Sequence, residues 1–167
     1  MSAVAYFPEP ASVVGEVEFH DVKQGCRITA HFSKLPPGEH GFHIHRAGDL
    51  RGPGCQGACD HYHKGKASDH GGPPGTTGPR HTGDLGNISG SPFKKTYLLH
   101  DVRVADLYGR SLIVHADKDD CGTGNFEDSL TTGHSGKRIA CVLIGRSTTD
   151  CTKTRKNKHK QTGKHTM

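Results

Sequence analysis

Apolar residues in this chain alternate with polar ones in short runs, and nowhere do they recur at i, i+3, i+4, i+7 for more than about two turns. That excludes a helical bundle and leaves β-strands as the means of burying a core. Ala3–Phe7, Val14–Phe19, Cys26–Phe32 and Gly41–His45 read as four strands. Between Arg46 and about Arg80 the periodicity stops, and Gly, Pro, His and Asp dominate. Strand signals return at Asp84–Ile88, Lys95–Val104 and Ser111–His115. A second irregular stretch covers residues 116–137, and Arg138–Ile144 closes as a buried strand. The reading is all-β: about eight antiparallel strands in a Greek-key barrel or sandwich, with two long loops. Loops of that length in a compact domain need something to order them, and a metal ion or a disulfide does so.

Composition supports this and sharpens it. Of 167 residues only 31% are apolar, while Gly reaches 23 and Pro 9, a mix suited to short strands and many turns. The 14 histidines point to metal binding, since neutral imidazole is the commonest metal ligand. The N-terminus has no basic segment followed by an apolar core, so a secretory signal is not expected. No apolar run approaches the roughly 18 residues of a membrane span. The expectation is a soluble, cytoplasmic protein, in the host cytoplasm if the source is viral. There the six cysteines would more often be thiols or ligands than disulfides.

The net charge of +5 is unevenly placed. Residues 151–167 hold six Lys or Arg and no acid, which leaves the preceding 150 residues near −1. The chain therefore divides into a domain over residues 1–146 and a basic tail over 147–167. The tail has nothing to bury and is expected to be disordered. It reads as a solvated end, as a polyanion-binding segment acting through counterion release, or as a localisation-like patch.

His43 and His45 stand two apart on a strand, so both imidazoles leave the same face while Phe42 and Ile44 enter the core. The long loop supplies His61, His63, His70 and His81, followed by Asp84. Three imidazoles and a carboxylate meet the four-ligand need of zinc. His115 ends the SLIVH strand as a partner for the His43/His45 pair. Any one of these histidines is more often a surface residue; together, in loops bracketed by strands, they describe a two-site metal centre.

The segments GEHGFHIH (38–45), Cys55 with His61, HGGP (70–73), HTGDLGN (81–87), GRSLIVHADKDD (109–120) and GKRIAC (136–141), in that order, resemble the copper–zinc superoxide dismutases. The resemblance covers about residues 3–146. It implies an eight-stranded Greek-key barrel that disproportionates superoxide to dioxygen and hydrogen peroxide. It implies copper on His43, His45, His61 and His115, and zinc on His61, His70, His81 and Asp84, with His61 bridging. Asp119 matches the carboxylate that links His43 to His70. Arg138 and His61 match the catalytic residues, one docking the anion and the other moving a proton. Cys55 and Cys141 match a disulfide, and a homodimer is implied.

Several residues depart from that pattern. Thr131 stands where a lysine is usual, leaving His134 or Lys137 to compensate. His63 replaces an Asn and is a competing ligand candidate, though a solvent-facing role is the plainer reading. Cys59 replaces a Gly and offers Cys141 an alternative partner. Arg146 puts a charge where the dimer contact is usually apolar. These departures suit a divergent viral or microbial member. The rival readings are a catalytically silent metal-binding or decoy protein with the same fold, a copper chaperone whose domain resembles its client, and a zinc-only structural protein.

Overall fold

In the computed structural model the described residues are 1–149. The basic tail from residue 150 onward, with Cys151, lies outside them.

Two antiparallel sheets face each other. The strands are β1 (Ser2–Phe7), β2 (Val14–Val22), β3 (Gly25–Lys34), β4 (Glu39–His45), β5 (Asp84–Ser89), β6 (Phe93–His100), β7 (Ser111–His115), β8 (Arg138–Leu143) and β9 (Gly145–Arg146). One sheet has the order β6-β3-β2-β1-β9 and the other β5-β4-β7-β8. Among the described residues nine strands thus stand where about eight were expected. The ninth is a two-residue pairing of Gly145 and Arg146 with Val4 and Ala3. Ile144 is the hinge between the sheets: its N–H donates to Arg110 O (2.9 Å), and its carbonyl accepts from Gly109 N–H (3.0 Å). The chain leaves one sheet and joins the other within a residue, which ties the two layers at that edge.

The alternation read from the sequence is the alternation of burial. In β3, Ile28, Ala30 and Phe32 are fully buried while Arg27 and His31 face out. The core is aromatic at its centre, where Phe32 meets Phe7 at 5.2 Å between ring centroids and meets Phe42 edge-on at 5.6 Å. Such tilted and edge-on pairs suit the ring quadrupole. Strand β6 is shorter than expected, ending at His100 and not at Val104. Asp101 takes a positive φ of 58° and breaks the ladder. Asp106 then caps a one-turn helix, α1 (Val104–Leu107), by accepting from Arg103 N–H at 2.8 Å.

Cys55 and Cys141 form a disulfide with their Cα atoms 6.7 Å apart. It joins the short 3₁₀ segment Pro53–Ala58 of the long loop to β8. Cys59 is free and exposed, so the alternative pairing with Cys141 is not the one formed. Cys26 and Cys121 are also free. Burial pushes the Cys26 thiol up to about 12, which makes it a packing residue and not a reactive one. Arg146 lays its guanidinium over the Tyr108 ring at 4.9 Å, so its charge is held against an aromatic face.

Phe32 touches aromatic rings from both sheets, and its loss leaves a cavity that neither sheet can close. Phe32→Ala is expected to destabilise the protein by about 3–5 kcal/mol in denaturant unfolding, with the slope of the transition unchanged.

Candidate metal centre

Strand β4 carries the site because both of its faces are covered. Phe42 and Ile44 enter the core, and His43 and His45 leave the opposite face beneath the long loops. The register with β7 sets His45 opposite Ser111 and Phe42 opposite Val114, so His115 ends β7 beside the pair. The β4–β5 register shifts between Gly41 and His43, which brings Asp84 opposite His43. A local register break beside a functional site re-aims side chains in this way.

The chain after His45 doubles back along β4. Arg46 N–H donates to Asp60 O (2.9 Å) and Tyr62 N–H to Ile44 O (2.8 Å), and these bonds set His61 between the two strand histidines and the loop. His70 is placed by its own N–H, which donates to Leu130 O (2.8 Å) on the other long loop.

Two donor clusters result, each with ligand atoms within 4.8 Å of one another. The first is His43, His45, His61 and His115; the second is His61, His70, His81 and Asp84. His61 belongs to both, as the sequence predicts of a bridging residue. Hydrogen bonds fix which ring atom of each histidine faces its cluster. His45 donates Nδ1–H to Cys59 O (2.8 Å), and His115 donates Nδ1–H to Gly136 O (3.1 Å). Their Nε2 atoms then face each other at 3.4 Å. His43 and His70 donate Nε2–H to the two oxygens of Asp119, each at 2.7 Å.

What remains is a set of buried ring nitrogens with no hydrogen-bond partner: His43 Nδ1, His61 Nε2, His70 Nδ1 and His81 Nδ1. A buried polar atom left unpaired costs about 1–3 kcal/mol. Lone pairs aimed together into one space are satisfied by a cation, and this is the observation by which the residues fit metal ions. In the second cluster Asp84 Oδ1 lies 2.9 Å from His61 Nδ1, 3.1 Å from His70 Nδ1 and 3.4 Å from His81 Nδ1. Asp84 Oδ2 is held by the N–H groups of His81 (2.7 Å) and Gly71 (3.0 Å).

In the first cluster the electrostatics agree with the ligand roles. Burial holds His43 and His45 well below the usual imidazole range, lowers His61, and brings His115 down to about 4. These rings are neutral at physiological pH, the form that binds metal. For His70 burial acts downward too, but its hydrogen bond to Asp119 and the nearby Asp84 carboxylate outweigh it and raise the ring to about 9. Burial would raise Asp84, yet the three imidazoles around it hold it far below the usual carboxylate range.

Arg138 opens β8 directly opposite His115. It donates from Nη1 to Cys55 O and from Nη2 to Cys59 O, each at 2.7 Å. The disulfide segment is therefore also the mount of this guanidinium. Arg138, His45, His61 and His115 line one cavity of about 730 Å³ that opens to solvent.

The structure thus brings together the eight ligand, bridging and carboxylate residues, Arg138 and the disulfide. His63 is left out of both clusters: its Nδ1 accepts from Thr82 N–H at 3.1 Å, so that lone pair braces the loop. Sequence reasoning missed Asn87, whose amide clamps the backbone of Asp119 by donating to its carbonyl (2.9 Å) and accepting from its N–H (2.7 Å). Its position inside HTGDLGN was the available signal. Gly133 was missed too. It has a left-handed φ of 70°, and a Cβ there would collide with Asp119 Oδ1 and His70 Nε2.

Known proteins carry the same pattern. The sequence model of the family described as copper/zinc superoxide dismutase (SODC) matches residues 13–144. The superoxide dismutase [Cu-Zn] of Paramecium bursaria Chlorella virus 1 is 41% identical over 152 residues, covering 87% of this chain and 78% of the viral protein. The copper chaperone for superoxide dismutase of Rattus norvegicus is 41% identical over 150 residues, covering 87% of this chain but 53% of the chaperone. The extracellular superoxide dismutase [Cu-Zn] of Haemonchus contortus is 41% identical over 142 residues, covering 81% and 75%. With its two sheets, its paired donor clusters and these matches, the chain belongs to the copper/zinc superoxide dismutase family, whose metals are copper and zinc.

Proposed function

We propose that the protein is a superoxide dismutase, converting two superoxide anions and two protons to dioxygen and hydrogen peroxide. One observation carries this reading: His45, His61 and His115 line an open cavity with Arg138, and His43 lies buried behind them, with its Nδ1 and His61 Nε2 unpaired. His43, His45, His61 and His115 would hold copper, and His61, His70, His81 and Asp84 would hold zinc. Copper would supply the one-electron redox change, and zinc, which has no redox chemistry, a structural charge in the loop.

The rest is done by the chain's own groups. Arg138 docks the anion; its two hydrogen bonds to the Cys55 and Cys59 carbonyls hold the guanidinium in place and leave other N–H donors toward the cavity. His61 Nδ1 is engaged by Asp84, so Nε2, which is unpaired, is the ring atom that would take up and return a proton. Asp119 orients His43 and His70 at once, so ring position in one cluster is coupled to ring position in the other.

A copper chaperone is the second reading, because a chaperone for superoxide dismutase is as similar to this chain as the dismutases are. Within the 167 residues no two cysteines stand two apart, as a C-x-C copper-transfer pair would require. We keep residues 1–146 as the catalytic domain and 147–167 as a basic tail able to contact polyanions. The boundary is not sharp, since Ser147 N–H donates to Ser2 O at 3.3 Å and the Ser2 and Thr149 hydroxyls meet at 2.7 Å. No helix among the described residues is long and apolar enough to cross a membrane. A cytoplasmic location and a homodimer complete the proposal.

Protein loaded with copper and zinc is expected to consume superoxide rapidly, with activity lost in His115→Ala. Full occupancy without turnover would favour the chaperone or silent reading. Arg138→Gln is expected to lower kcat/KM by about 10- to 100-fold, the worth of one charge-assisted hydrogen bond to the anion. Asp119→Ala is expected to weaken zinc and copper binding together, by about 10- to 100-fold in chelator competition; an unchanged affinity for both would remove the coupling role assigned to this carboxylate.

A further inference from the structure

Three cysteines are gathered where the long loop meets β8, and the disulfide uses two of them. Cys55 and Cys141 are half-buried, while Cys59, at the end of the same turn as Cys55, is free and exposed. Its contacts keep it beside the disulfide. A single guanidinium, that of Arg138, donates to the Cys55 and Cys59 carbonyls at 2.7 Å each, so the two residues lie side by side. The Cys59 N–H closes the turn onto Gln56 O at 3.2 Å, and its thiol folds back to donate to Gly57 O at 3.4 Å.

The backbone does not ask for a cysteine at this position. Cys59 has φ 60° and ψ −149°, a conformation that glycine takes freely and other residues rarely adopt. Its carbonyl, which also accepts from His45, would be offered equally by a glycine. What the residue adds is a sulfur atom next to a disulfide. The other free thiols among the described residues are placed differently: Cys26 is buried in the core, and Cys121 lies half-buried on the second long loop.

We propose that Cys59 is a relay thiol that makes and breaks the Cys55–Cys141 disulfide by exchange with low-molecular-weight disulfides and thiols of the glutathione class. Formation runs in three displacements. In the reduced protein the Cys59 thiolate attacks an external disulfide RSSR, so that Cys59–S–S–R forms and one RS⁻ leaves. The Cys55 thiolate then attacks the Cys59 sulfur, the Cys55–Cys59 bond forms, and the second RS⁻ leaves. Last, the Cys141 thiolate attacks the Cys55 sulfur, the Cys55–Cys141 bond forms, and Cys59 is returned as a thiolate. The net change is two protein thiols oxidised and RSSR reduced to two RSH, which take up the two protons. Reduction is the same path in reverse. Cys59 ends as it began, so it changes how fast the disulfide responds and not where the equilibrium lies. The relay does not depend on the dismutase reading.

The test uses the full chain loaded with zinc, which has no redox chemistry of its own, at one fixed pH. Wild type, Cys59→Ser and Cys59→Gly are moved between reduced and oxidised glutathione buffers, quenched in acid, alkylated and digested with trypsin. Segment 52–64 carries Cys55 and Cys59, and segment 139–146 carries Cys141, so the pairing is read by mass. Both variants are expected to oxidise and reduce the Cys55–Cys141 pair about tenfold more slowly than wild type, with the same final ratio of the two forms. In wild type alone, segment 52–64 is expected to appear transiently lighter by two hydrogens while segment 139–146 is alkylated. Equal rates in all three proteins would overturn the relay. So would a wild-type rate in Cys59→Gly with a slow Cys59→Ser, because residue 59 would then act through its backbone and not through its sulfur.

Discussion

The carboxylate of Asp119 accepts from His43 with one oxygen and from His70 with the other, both at 2.7 Å and both fully buried. Those two bonds decide which nitrogen of each ring is left to face its cluster, and they make one rigid unit of β4 and the long loop. Asp119 is itself clamped by Asn87 of β5, and the space beside it is kept open by Gly133. Three elements distant in sequence are thus committed to one carboxyl group. A buried anion of this kind is tolerable only because each oxygen is hydrogen-bonded.

From that unit the remaining architecture follows. The barrel supplies rigid strands, whose alternation separates core side chains from ligands one residue at a time. The loops supply ligands that no strand could reach, and they need covalent or metal support to stay ordered. The Cys55–Cys141 disulfide gives part of that support and at the same time holds the carbonyls on which Arg138 rests. The disulfide and the mount of Arg138 meet in the turn Pro53–Ala58 and its C-terminal flank Cys59, so damage to the disulfide reaches this guanidinium directly through the Cys55 carbonyl.

Much of the site could be read in the sequence because its signals are local. The period of two puts His43 and His45 on one face, and the run SLIVH ends in an imidazole. The crowding of His61, His63, His70 and His81 before Asp84, in a loop with no other reason to be ordered, pointed to a second site, and the family resemblance picked out His61, His70, His81 and Asp84 for it. What escaped were contacts whose partners are far apart or whose chemistry is in the backbone. Asn87 acts on the main chain of a residue 32 positions away. Gly133 matters for the Cβ it lacks, and Asp101 ends β6 by a backbone torsion that no periodicity predicts. The charge of Arg146 read as an unpaired cost, yet a neighbouring ring, Tyr108, receives it.

The central claim is that one imidazole, His61, joins the two metal sites through its two nitrogens. Loading both sites with Cu(II) and recording the electron paramagnetic resonance spectrum tests it directly. A shared ring couples the two unpaired electrons, so the account predicts a signal far below that of two independent ions, restored to full intensity when zinc replaces copper in the Asp84 cluster. Two uncoupled Cu(II) signals of full intensity in the dicopper protein would contradict it.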